Sequence, residues 1–587
     1  MTIFHLTALL GGLAMFLFGM DVMGKALERQ AGGRLQTILS KLTDHPIKGL
    51  LMGMVVTAVI QSSSATTVMV VGFVNSGIIQ LHQAVGIIMG SNIGTTVTSW
   101  ILSLTGVEGD SLLIQFCKPA NFSPVLAFIG VLLYMQKSEK KKGVGTILLG
   151  FSVLLTGMGF MSDSMKPLAG EAWFTSLFLK FSNPILGVLA GAVLTAVIQS
   201  SSASVGILQA LALSGGVTTG AALPIIMGQN IGTCVTALIS SVGATKNARR
   251  TAMVHFYFNL IGVALFLSVF YAYNAFFPVA QLSQPIDALG IAFIHSIFNV
   301  SVTLVLLPFN KVLEKLAVLT VPEGENEQPE QLVLLDERLL NTPAVAVDRA
   351  RVTTTDLANL SRSALLKSMS LVHRWDLALF DSVCREEDAT DQYEDMLGSY
   401  LVQLSAQRMN LRDTHIVNIL LHCISDFERI GDHALNIAQN AQNMEKTGVR
   451  FSGQALQELQ VLENAVQDLL DKTIVAFENG DVEAAKKVEP LEQVIDELVR
   501  ELKSRHIARL QAGKCSHDYG YMFNDLLNDL ERVADHCSNV AVDMIEVEAN
   551  SFDTHEYLDK MRDGADADFE RRYARYAGRY VIPEETA

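Results

Sequence analysis

Residues 46–101 recur as residues 184–239, shifted by 138 positions without a gap, and 29 of the 56 aligned residues are identical. The core of the match is TAVIQSSS (57–64 and 195–202), followed by a shared alanine and, further on, by IIMGSNIGTTVT (87–98) over IIMGQNIGTCVT (225–236). Gly49/Gly187, Gly53/Gly191 and Thr57/Thr195 also coincide, and GMDVM (19–23) over GMGFM (157–161) keeps the same offset. The repeat therefore begins near the N-terminus, and the fold has to be built from two like halves that complete one another.

Half of the 587 residues are hydrophobic and 18% are charged, but the distribution is uneven. Up to about Pro308 the chain is a series of apolar runs; from about Lys311 it is acidic and helix-periodic. The first part reads as membrane and the second as a soluble domain. A net charge of −16 argues against a nucleic-acid footprint. Six cysteines (Cys117, Cys234, Cys384, Cys423, Cys515, Cys537) show no CxxC spacing and suggest neither a disulfide framework nor a zinc site. The N-terminal stretch lacks a basic n-region and a cleavage site, so it reads as the first transmembrane helix. No Walker loop, HExxH or activated nucleophile is present, and no enzyme is expected.

Lys and Arg concentrate on cytoplasmic loops. Clusters at 25–48, 137–142 (KSEKKK) and 246–250 (KNARR) mark candidate inside faces. They fit single crossings at about 3–24, 82–106, 112–135, 143–163, 220–243, 250–276 and 287–309. The QSSS segments, about 46–79 and 184–216, then enter and leave on one side. Each is too long for one straight span and suits two half-helices meeting at a polar break. The first opens to the cytoplasm and the second to the exterior, with the N-terminus outside. The expected fold is all-α: a polytopic inner (plasma) membrane protein of inverted-topology repeats with two helical hairpins.

Polar backbone at membrane depth is tolerated only where protein or a wet cavity encloses it. Gln61, Ser62, Ser63 and Ser64 would thus meet Gln199, Ser200, Ser201 and Ser202 near the midplane, where half-helix N-termini suit an anion. The NIGT blocks suggest a second break, with Gly94 and Gly232 permitting unwinding. There Asn92, Thr95, Thr98, Asn230, Thr233 and Thr236 supply neutral oxygens of the kind a sodium ion uses. The paired HFYFN (255–259) and HSIFN (295–299) place His and Asn on one helix face, as glue between helices or as a sensor of protonation, the former being favoured.

The soluble half is also duplicated. SDFERIGDHALNIAQN (425–440) is echoed by NDLERVADHCSNVAVD (528–543), pairing Glu428/Asp432 with Glu531/Asp535. Upstream, Asp391/Asp395 are matched by Glu492/Asp496 at an offset of 101. Such i, i+4 carboxylates share a helix face, and helices packed together would concentrate acid that needs cations.

The doubled QSSSA and paired NIGT blocks resemble the type II sodium/phosphate cotransporter family over roughly residues 1–310. The resemblance implies sodium-coupled transport of inorganic phosphate, with Gln61–Ser64 and Gln199–Ser202 at the phosphate and sodium sites. It also implies a sodium site of Thr233 and Thr236 with Gln199–Ser201. The acidic half resembles PhoU-type domains, a pair of three-helix bundles whose ExxxD motifs hold iron, zinc or another divalent metal and which regulate phosphate uptake. The expected layout is 1–315 for transport (repeats about 1–136 and 143–310), 316–344 as linker, 345–550 as a cytosolic PhoU-like domain and 551–587 as a tail. Membrane lipid, a cytosolic signalling partner and a second copy of the chain are the expected partners. Carriage of another oxyanion, phosphate export, and a membrane-anchored metal-binding adaptor are the rival readings.

Overall fold

The structure, a computed structural model, describes residues 3–39, 45–106, 118–169, 180–322, 335–407, 409–513, 517–549 and 567–583. Lys41, Cys117, Cys515, residues 323–334 of the expected linker and 551–566 of the expected tail lie outside them. The described residues are helical, without strands, and divide into two compact units, Met1–Val345 and Ala346–Ala587.

The first unit contains α1 (Ile3–Leu39), α2 (Pro46–Ile60), α3 (Ser63–Asn75), α4 (Leu81–Ser103), α5 (Pro119–Tyr134), α6 (Glu139–Ala169), α7 (Pro184–Ile198), α8 (Ser201–Ala212), α9 (Thr219–Ser240), α10 (Lys246–Phe276), α11 (Ala288–Leu306) and α12 (Asn310–Thr320). Six helices are long and apolar enough to cross a membrane among the described residues: those at 4–27, 81–106, 140–167, 219–240, 246–276 and 288–320. The seventh expected crossing, 112–135, is described only from Pro119 to Tyr134 as 16 helical residues.

Small residues let these helices touch backbone to backbone, the mode of packing open to helices in lipid. A Cβ on Gly12 would meet Met161 N at 2.9 Å, and one on Gly150 would meet Met23 N at 2.8 Å. Since 12/150 and 23/161 are equivalent positions, the contact is reciprocal, as across a two-fold axis. Contacts that rise along α1 while falling along α6 also make these equivalent helices antiparallel.

Each half-helix before a QSSS break packs along the helix that follows its hairpin, again through glycine. A Cβ on Gly90 would overlap Leu50 O, and one on Gly228 would overlap Val188 O. At Gly94 it would lie 2.6 Å from Met54 O and 2.8 Å from Thr57 Cβ; at Gly232, 2.5 Å from Ala192 O and 2.6 Å from Thr195 Cβ. This corrects the expectation of a second break. Both α4 and α9 run unbroken through NIGT. The glycine removes a side chain where a neighbouring helix presses in, rather than unwinding its own.

The second unit consists of two successive sets of three helices: Pro343–His373, Leu377–Ser405, Leu411–Thr447, then Gly453–Asn479, Glu489–Gln511, His517–Ala549. The third helices of the two sets pack together through another reciprocal contact. His433 Nδ1 is 2.9 Å from Asp529 and His536 Nδ1 2.8 Å from Asp426, with the two rings stacked at 5.7 Å. Within the expected tail, Ala567–Arg579 is a helix on this unit, and Tyr580 beyond it donates to Asp468 at 2.9 Å.

Candidate functional site

The local sequence explains the breaks. Gln61 and Gln199 adopt left-handed backbone (φ 61° and 58°) and end α2 and α7, while Ser62 and Ser200 are extended and cap α3 and α8. Their hydroxyls accept from Ala65 N and Ala203 N, each at 3.2 Å. A non-glycine residue in the left-handed region costs about 1–2 kcal/mol, a strain found where surrounding structure enforces it. Thr57 Oγ1 donates to Thr66 Oγ1 at 3.0 Å across the first break. A straight helix would separate residues nine apart by roughly 13 Å, so the chain turns back as a hairpin.

The two breaks meet tip to tip. Ser63 Oγ lies 3.4 Å from Ser201 Oγ, its equivalent in the other copy, and Ser64 Oγ donates to Gln199 O at 3.4 Å. Ser63, Ser201 and Ser202 are buried, and Ser62, Ser64 and Ser200 are half-buried. Helix geometry leaves the N–H groups of Ser63, Ser64, Ser201 and Ser202 without an intrahelical acceptor, so two partly positive helix starts converge.

Behind the tips the copies differ. In the first, Thr57 Oγ1 also accepts from Ser91 Oγ at 2.9 Å, so Thr57, Thr66 and Ser91 satisfy one another. In the second, the equivalent Thr195 Oγ1, Ser204 Oγ and Gln229 Oε1 are buried without a hydrogen-bond partner, while Thr98 Oγ1 and Thr236 Oγ1 lack one in both copies. Gln61 is buried and Gln199 exposed. Asn92, Thr95, Asn230 and Thr233 all bond to carbonyls of their own helices, at Ile88, Ser91, Ile226 and Asn230. Sequence reasoning passed over Thr57, Thr195, Ser91 and Gln229. Their signal was available, because the identical octapeptide begins with the threonine.

His295 Nδ1 lies 2.7 Å from Ser99 Oγ, which joins α11 to α4, and Asn259 and Asn299 bond back to His255 O and His295 O. Of these contacts only the first joins two helices; the asparagine bonds each lie within one helix.

In the second unit, oxygens of Glu387, Asp391 and Asp432 lie within 4.8 Å of one another, as do those of Glu492, Asp496 and Asp535. The matching pairs are thus Glu387/Asp391 and Glu492/Asp496, one helical turn from the alignment that set Asp391 against Glu492. Glu387 was missed although it has the same spacing to Asp391 as Glu492 has to Asp496. Asp395 does not join the first group, and Glu531 pairs with Lys503 at 2.8 Å. Glu428 stands beside the first group, its carboxyl pushed up to about 7 by burial and then by Asp432, Asp391 and Glu394. Burial, then Asp496 and Glu531, raises Asp535 as well. Clustered carboxylates that resist ionisation suit a hard divalent cation.

Broken helices paired tip to tip inside a bundle of membrane-length helices define a helical-hairpin membrane transporter, not an enzyme. The particular family follows from comparison. Residues 15–163 and 153–295 match the Na+/Pi-cotransporter family model, residues 354–441 and 459–544 match that of the PhoU domain, and the chain belongs to the Na+/Pi-cotransporter family with C-terminal PhoU domains. The uncharacterized protein YqeW of Bacillus subtilis (strain 168) is 33% identical over 310 residues, 52% of this chain and 95% of that one. YjbB of Escherichia coli (strain K12), whose name provisionally assigns it inorganic phosphate export, is 24% identical over 93% of this chain and 98% of its own. Sodium-dependent phosphate transport protein 2A of Rattus norvegicus is 40% identical over 99 residues, 16% of this chain and 15% of that one. Among solved structures, PhoU from Pseudomonas aeruginosa covers 35% of this chain and 97% of its own at 20% identity and a TM-score of 0.33.

Proposed function

We propose that the protein is a sodium-coupled carrier of inorganic phosphate whose substrate sits at the junction of the two QSSS tips. The observation that carries this reading is the contact of Ser63 with Ser201, which brings two capped helix starts and the hydroxyls of both serines to one point in a membrane bundle. Anions bind at such helix starts. The unpartnered oxygens of Thr195, Ser204, Gln229 and Thr236 form the sodium site beside the second tip, adjoining Asn230 and Thr233. The antiparallel α1 and α6 support an inverted-topology repeat, which permits alternating access to a fixed site. In this reading the second unit is cytoplasmic.

Sodium-driven accumulation of radiolabelled phosphate in liposomes, absent with potassium, tests the reading. No flux under either gradient would sink it. The name of YjbB, a relative matched over nearly its whole length, favours a second reading in direction only. Loading the vesicles with phosphate and following sodium-dependent efflux decides whether the same path runs outward.

Thr195→Val removes an oxygen that bonds to nothing in the protein. The expected result is a sodium half-saturation raised about tenfold, roughly 1.4 kcal/mol, with an unchanged melting temperature. Thr57→Val instead breaks the bonds to Thr66 and Ser91 and lowers the melting temperature.

The two acidic groups of the second unit are proposed divalent-cation sites, with Glu387, Asp391 and Asp432 in one and Glu492, Asp496 and Asp535 in the other. Without metal, native Glu428 keeps its proton up to about pH 7, whereas the unfolded chain releases it near 4.5. The native state binds more protons in that window, so stability falls as pH rises through it. Melting in EDTA at pH 5 and pH 7.5 should show the lower transition at 7.5, with added Mn2+ restoring it. Equal transitions, or no effect of the cation, would contradict the assignment.

A further inference from the structure

Beyond α12, a short segment returns to the first unit. Leu335, Leu339 and Leu340 are buried there, and Asp336 is only 2% exposed. Asp336 accepts from Asn75 Nδ2 at 2.7 Å and pairs with Arg338 at 2.9 Å. Asn75 ends α3, the second half of the first hairpin, and its Oδ1 accepts from Thr245 N at 2.8 Å. Arg338 reaches the other copy, donating to the carbonyls of Ser240 and Val242 at the end of α9, the latter at 3.2 Å. A guanidinium is well matched to the free carbonyls and negative dipole of a helix C-terminus.

Where the two copies differ, the differences fit this segment. Position 72 is glycine in the first hairpin and alanine (Ala210) in the second. A Cβ on Gly72 would lie 3.0 Å from Leu339 Cδ2, so the glycine opens the notch that Leu339 fills. Asn75 corresponds to Leu213, which has no amide to offer. Only the first hairpin is therefore equipped to receive the segment.

We propose that residues 335–342 form a strap that fastens the first hairpin to the end of α9, and that the strap must loosen before the hairpin moves. This deepens the carrier reading and rests on it for its effect on flux. The strap runs on without a break into helix Pro343–His373. Motion that parts α3 from the end of α9 breaks the Asp336–Asn75 bond and the Arg338 cap together.

The test uses the full-length protein in liposomes, with Asn75→Cys and Asp336→Cys combined and joined by a short, reducible thiol-reactive cross-linker. Sodium-driven phosphate flux is expected to fall at least tenfold on cross-linking and to return on reduction, and the cross-linker should leave the flux of either single variant as it was before treatment. Gly72→Ala, which gives the first hairpin the residue of the second, should raise the flux. Hydrogen exchange supplies a readout that does not depend on transport. With Gly72→Ala and Arg338→Ala combined, amides of residues 57–76 should exchange at least tenfold faster, while residues 195–214 stay unchanged. Cross-linked protein carrying phosphate at the uncross-linked rate would overturn the proposal. So would unchanged exchange at 57–76 in the loosened variant, whether or not the wild type moves phosphate. A wild type that moves none contradicts the carrier reading instead.

Discussion

Alanine at both Ser63 and Ser201 is expected to lower sodium-driven phosphate flux by at least about 100-fold, roughly 2.7 kcal/mol, in a protein that still folds. The two hydroxyls face one another at 3.4 Å, where the half-helices meet. Neither caps a helix, because Ser62 and Ser200 hold that role through Ala65 N and Ala203 N. Their removal therefore takes polar groups from the junction and leaves the helix starts in place. The control is Ser62→Ala with Ser200→Ala, which removes both caps and costs stability, about 1 kcal/mol for each. Melting in detergent and flux in liposomes distinguish the two pairs. Flux within twofold of wild type in the Ser63/Ser201 variant would move the phosphate site away from the tips.

Gly90→Ala and Gly228→Ala are expected to be among the most damaging single-methyl changes to the fold. In each, the new carbon would overlap a carbonyl oxygen of the neighbouring half-helix, Leu50 O or Val188 O. Backbone cannot rotate aside as a side chain can, so the hairpin has to be driven off its supporting helix. Overpacking generally costs about 1–3 kcal/mol, and these changes should reach or exceed the upper end. Gly11→Ala and Gly159→Ala meet nothing within 4 Å and serve as controls. Yield of monodisperse protein and its melting temperature give the comparison. Full yield and an unshifted transition for Gly228→Ala would show that α7 and α9 are not held as closely as described.

Much of the fold was legible in the sequence for particular reasons. The octapeptide TAVIQSSS disclosed both hairpins, because a polar block inside an apolar run more than thirty residues long has few solutions in a membrane. NIGT was misread because glycine serves two purposes, unwinding a helix and admitting a neighbour. The residues pressing on Gly94 and Gly232, Thr57 and Thr195, lie far away in the chain. Glu387 escaped notice because an acid-rich helix offers several registers one turn apart, and only packing selects the one that faces Asp432.

The sequence by itself determined the doubled architecture, the division into an apolar and an acidic half, and the location of each break. These are properties of pattern, set by local propensity and by the solvent each segment requires. Tertiary structure alone decided which hydroxyls are satisfied. Thr57 and Thr195 stand in identical octapeptides, yet Thr57 is bonded to Thr66 and Ser91, whereas Thr195 is bonded to neither Ser204 nor Gln229, which hold those places in the second copy. It also decided the place of Asp336, whose partner Asn75 lies 261 residues away in the chain. Contacts of that kind depend on which surfaces meet, and nothing in the local pattern of either segment records it.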